Sequence, residues 1–94
     1  MREQQIQSKI IKWLESEGYY VVKVIVASKS GVPDVLCCVN GKFHAFEIKA
    51  ENGVTSELQK YNITKIRASN GYAHIVKSLE EVKNVIRNSE NIIS

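Results

Sequence analysis

The sequence predicts a small α/β domain, a mixed sheet flanked by helices in the order α-β-β-β-α-β-α. Three observations carry this. Ser56-Glu57-Leu58-Gln59 and Ser78-Leu79-Glu80-Glu81 both have the capping-box pattern that opens a helix. Asn40-Gly41, between two apolar runs, is the strongest short hairpin signal. Residues 19–26 (YYVVKVIV) are β-branched and aromatic, the composition of a strand. At 94 residues the chain is read as one domain, residues 1–94. Hydrophobic residues at 44% and charged residues at 24% are ordinary for a globular protein and argue against disorder.

Taken in order, residues 3–17 carry Ile6, Ile10, Trp13 and Leu14 at three-four spacing, an amphipathic helix that Gly18 stops. The strand over 19–26 follows, then a loop over 27–33 (ASKSGVP) rich in small and turn-forming residues. Residues 34–39 and 42–49 are two strands of one hairpin. A loop around Asn52-Gly53 leads to a helix from Ser56 to about Ser69, then a short strand over 72–76. The last helix sets Leu79, Val82, Val85 and Ile86 on one face, and residues 88–94 read as a flexible, frayed tail. The longest apolar stretch is broken by Lys23, too short for a membrane span, and the polar start MREQQIQSK lacks a signal peptide's apolar run. The expectation is therefore a cytoplasmic protein with no membrane partner. Cys37 and Cys38, adjacent on a strand, point to opposite faces and lack zinc-site spacing, so both read as reduced, buried thiols. His44 and His74 likewise read as structural. The net charge of +3 is compatible with a nucleic-acid partner without establishing one.

The hairpin turn carries the chemistry. If Asn40 and Gly41 are the two central residues, Val39 faces Lys42, Cys37 faces His44, and Asp34 faces Glu47. Directly opposed residues have Cβ atoms ~4.5–5.5 Å apart, so two carboxylates project together from one face. Like charges so placed need neutralising, and Lys49 follows two residues on along that face. A carboxylate pair of this kind suits a hard cation such as Mg²⁺, and a lysine beside it can hold a water or offset phosphoryl charge. The competing reading is a solvated strand edge after a Pro-Asp turn, and residue types alone leave both open.

Gly31-Val32-Pro33-Asp34, twelve further residues, then Glu47-Ile48-Lys49 resembles the Asp…Glu-x-Lys signature of restriction-endonuclease-like PD-(D/E)XK nucleases. More closely, with Glu3 on the first helix and Gln59 on the second, the chain is similar to the virus-type replication-repair nuclease (VRR-NUC) family. The resemblance implies the αβββαβ core of that fold, followed here by a C-terminal helix. It implies a Mg²⁺- or Mn²⁺-dependent endodeoxyribonuclease, with Asp34, Glu47 and the Ile48 backbone carbonyl as metal ligands. Lys49 would position the attacking water, and hydrolysis would leave a 5′-phosphate. Glu3 would approach the metal directly or through water, although a first-turn acid is also favoured by the helix dipole. Gln59 would orient the site or contact DNA, with its capping-box role as the rival. Stand-alone viral or bacterial members of this size imply a homodimer that cuts four-way (Holliday) junctions in DNA repair, with no small-molecule cofactor. The alternatives are a general or flap- or nick-directed endonuclease and a non-catalytic DNA-binding module. Lys23, Lys29 and Lys60 are candidate phosphate contacts, each taken singly a solvated surface charge. The dimer surface would lie on the exposed side of residues 72–76 or on the last helix.

Overall fold

In the computed structural model, which describes residues 1–91, the elements are α1 (Glu3–Ser16), β1 (Tyr20–Lys23), β2 (Val35–Val39), β3 (Lys42–Ile48), α2 (Glu57–Ala68), β4 (Tyr72–Val76) and α3 (Leu79–Asn91). They form one sheet in the order β1-β2-β3-β4, antiparallel except for the parallel pair β3–β4. No helix among the described residues is long and apolar enough to cross a membrane.

The turn is the predicted one. Asn40 and Gly41 both adopt positive φ, 51° and 84°, which matches a hairpin's twist and demands an Asn-Gly type sequence. The register follows: Val39 pairs with Lys42, Cys37 with His44 and Val35 with Phe46. One sheet face, built from Val35, Cys37, Val39, Phe46, Ile48 and Val76, packs on Ile6, Ile10 and Leu14 of α1 and Val82 and Ile86 of α3. The other face is covered only in part. Ile63 of α2 packs on Ala45 and Ala73, with Ile66 beside them, whereas Leu36 and Phe43 stay exposed. The sheet expected to be flanked by helices is thus covered on one face and on part of the other.

The ends of β1 and α3 differ from expectation. β1 ends at Lys23 although its β-branched run continues to Val26. Val24 N–H still donates to the Asp34 carbonyl (2.8 Å), but beyond it β2 offers no partner, and Ile25 and Val26 stand in the open. At the other end α3 runs on to Asn91, through the first residues of the stretch expected to fray. The rest of that stretch, 92–94, lies outside the described residues.

The cysteines take opposite faces as expected, but only Cys37 is buried; Cys38, on the face that α2 covers in part, is half-buried. Cys37 is buried and its thiol is pushed up to about 11, chiefly by burial, so it is inert at neutral pH. His44 is buried in β3. Its Nδ1 lies 3.0 Å from His74 Nε2, one ring donating to the other, and it stacks on Tyr72. Burial, with Lys42 nearby, holds His44 below its ordinary value. Burial, then the charges of His44 and Arg67, holds His74 at about 4. The unfolded chain therefore binds protons below about pH 6.5 that the folded chain refuses, and stability falls with pH between there and about 4. Urea midpoints should drop over this window with a slope of up to ~1.4 kcal/mol per pH unit per proton taken up. A His74→Gln chain should show a flatter fall; an equal slope would place the acid sensitivity elsewhere.

Candidate active site

Asp34 immediately precedes β2, and one further step of the β2–β3 register sets it against Glu47. Its Oδ2 accepts a hydrogen bond from Ile48 N–H at 2.8 Å. The carboxylate thereby occupies the place of the next backbone acceptor along the ladder and is fixed beside β3. In an antiparallel ladder the N–H and C=O of one residue point to the same side, so the Ile48 carbonyl also looks toward Asp34.

Glu47 faces α2 and is 1% exposed. Its Oε2 receives Gln59 Nε2–H at 3.1 Å and lies 3.6 Å from Lys49 Nζ. Its Oε1 is buried with no partner. Burial raises the Glu47 carboxyl to about 7, and the charge of Asp34 beside it raises it further, against the lowering pull of Lys49. With one buried oxygen unpaired, and with burial and the charge of Asp34 outweighing the pull of Lys49, Glu47 is short of positive charge. Those are the features of a divalent-cation site: hard oxygen donors, a free lone pair, and unneutralised charge.

Gln59 holds both of its expected roles at once. Ser56 N–H donates to its Oε1 (2.9 Å), and its own N–H donates to Ser56 Oγ (3.1 Å), a complete capping box. The cap fixes the amide, which leaves Nε2 aimed at Glu47. Glu3 reaches the site's edge: its Oε2 accepts from Ala50 N–H at 3.4 Å, a long contact that joins α1 to the residue after Lys49. It does not join Asp34 and Glu47 in one cluster, since among the described residues no three His, Cys, Asp or Glu side chains gather as a metal-binding group. Lys23 and Lys29 are exposed at the two ends of the 24–31 loop, whereas Lys60 pairs with Glu57 at 3.4 Å on the outer side of α2.

Two further residues hold the loop that delivers Asp34. Asn62 Nδ2 donates to the carbonyls of Ser30 (3.1 Å) and Leu58 (2.9 Å). Gly31 (φ +75°) lies so close to α2 that a Cβ there would meet Leu58 Cγ at 2.8 Å. The signal for Asn62 was its spacing: three residues after Gln59, it falls on the same helix face.

A family model described as archaeal Holliday junction resolvase (hjc) matches residues 2–89. The chain belongs to this family. A solved structure described as a VRR_NUC domain has a TM-score of 0.79 and 25% sequence identity, covering 90% of the resolvase-family chain and 94% of its own. A second, a VRR_NUC domain protein, is 19% identical with a TM-score of 0.76, over 94% and 87% of the two chains, and repeats the fold. No curated protein matches the chain. The resolvase-family chain is accordingly a PD-(D/E)XK-type, structure-specific nuclease with the restriction-endonuclease-like core, and DNA is the substrate class of its family.

Proposed function

We propose that this resolvase-family chain is a Mg²⁺- or Mn²⁺-dependent endonuclease that, as a homodimer, incises four-way DNA junctions. The observation that carries the metal reading is the orphaned, buried Glu47 Oε1 beside Asp34. Asp34, Glu47 and the Ile48 carbonyl would hold the ion, with Glu3 reaching it through water. When bound, the ion supplies Lewis-acid stabilisation of charge on the phosphate and a more acidic water. The chain's own groups do the rest. Lys49, held against Glu47 at 3.6 Å, holds the attacking water and offsets negative charge as the phosphorus–oxygen bond breaks to leave a 5′-phosphate. Gln59 keeps Glu47 in place, and α2 over Glu47 excludes bulk water from it.

With a radius of gyration of 12.7 Å the chain carries one site and cuts one strand. Symmetric incision of a junction then needs a second copy on a two-fold axis. Exposed apolar area for that copy is offered by Tyr72 and Ile75 on β4, as expected, and also by Leu36 and Phe43 on the hairpin. The test is cleavage of labelled junction, flap and linear duplex with and without Mg²⁺, together with sedimentation at working concentration. Paired cuts on opposing junction strands by a dimer are expected. A monomer that nicks linear duplex equally would make it a general endonuclease. Binding without cleavage in either metal would make it a non-catalytic module.

A further inference from the structure

Among the described residues three aliphatic side chains are more than four-fifths exposed, Ile25 at 81%, Val26 at 87% and Val54 at 84%. All three stand on the two loops, 24–34 and 49–56, that enter and leave the carboxylate end of the sheet. Folding does not account for them. Burying a side chain of this size is worth ~1.5–3 kcal/mol, and here adjacent residues forgo it.

Their setting is fixed rather than loose. Val24 N–H bonds the Asp34 carbonyl at 2.8 Å, so Ile25 and Val26 follow directly on a residue tied to the site's first residue. The far end of the same loop is pinned by Asn62 on Ser30 and by Gly31 against Leu58. Across the site, Val54 follows Gly53, where a Cβ would lie 3.3 Å from Lys49 Cβ. The apolar tip is bracketed by exposed Lys23 and Lys29, with no acid between them. Two such loops from two copies of the chain would repel. A polyanion with apolar bases between its phosphates fits both the cations and the tip.

We propose that Ile25 and Val26 form an apolar wedge that enters the base stack of the DNA next to the cleaved phosphate. The inference rests on the nuclease reading of Asp34 and Glu47 and deepens it by naming what selects the substrate. Side chains of this kind part a base step at a cost of a few kcal/mol, least where the step is already open. At a branch point the stack is interrupted, so the wedge enters at little cost; in continuous duplex it must pay for unstacking. Branched DNA is thereby favoured without any contact to base edges.

The test uses the double variant Ile25→Ser/Val26→Ser, whose exposed positions leave the core untouched. Junction and linear duplex carry 2-aminopurine beside the cleavage point, and fluorescence is read on an Asp34→Asn background so that binding is separated from chemistry. The chain with the tip intact should raise junction fluorescence on binding. The double variant should lose that rise, and without Asp34→Asn its preference for junction over linear duplex should fall roughly tenfold, about 1.4 kcal/mol, with cutting of linear duplex retained. An unchanged fluorescence rise and preference would overturn the wedge. So would conversion of a dimer to a monomer with the rise intact, which would make the tip a contact between copies. Failure of the nuclease reading shows separately, as no metal-dependent cleavage by the unsubstituted chain.

Discussion

Glu47→Gln should abolish cleavage and yet raise thermal stability. Gln keeps the shape and an acceptor for Gln59, but removes the charge that Glu47 must carry under α2 beside Asp34. A loss of roughly 10³-fold or more in rate is expected, because charge stabilisation at such a site is worth several kcal/mol. Stability moves the other way, and the sign follows from the proton count. Glu47 is held at about 7 when folded against an ordinary 4.5, so between these values the folded chain binds the extra proton and loses stability as pH rises. The advantage of Gln is absent below about pH 4.5, grows across the window and is full above about 7. A rise of roughly 5 °C or more in Tm at pH 8 with chelator is expected, since ~1 kcal/mol shifts a domain of this size by 4–8 °C. Mg²⁺ should raise the Tm of the unsubstituted chain and not of the variant, because only the former binds it in the folded state. A Tm lowered by Glu47→Gln at pH 8 would show that Lys49 and Gln59 already neutralise the carboxylate.

Lys49→Ala should lower the rate of the chemical step by roughly 10²–10³-fold, the size of effect seen when one preorganised donor is removed. Junction affinity should change little. Lys49 is largely buried against Glu47 rather than presented on the surface, so its charge is placed for the reacting phosphate more than for the backbone at large. Single-turnover rates and a binding titration separate the two. Equal losses in rate and affinity would reduce Lys49 to a phosphate contact. Because the positive charge beside Glu47 is also lost, the variant should require higher pH to free the carboxylate.

How much of this was legible beforehand depended on how local each determinant was. Asn40-Gly41 sets the register by itself, so the meeting of Asp34 with Glu47 could be read by counting along two strands. The double use of Gln59 could not. The capping box is visible in four consecutive residues, but that its spare amide hydrogen points at Glu47 depends on where α2 lands on the sheet. The same holds for Asn62 and Gly31, whose contacts join loop 24–34 to a helix thirty residues on. The end of β1 was misplaced because β-branched composition records a preference, whereas a strand also needs a neighbour, and β2 supplies none past Asp34.

The hairpin that joins the two acids closes over only twelve intervening residues. Short loops close at small entropic cost, and contacts near in sequence form early, so Asp34 and Glu47 meet while water still surrounds them both. The electrostatic penalty arrives later, when α2 settles over Glu47. It therefore falls on the docking of that helix rather than on the hairpin. Docking has little to set against it: Ala45, Ile63 and Ala73 are its buried apolar cluster, against the eleven residues gathered under α1 and α3. Local opening follows the weakest apolar seam, so the amides of α2 are expected to exchange before those of α1 and α3, exposing the site that lies under it.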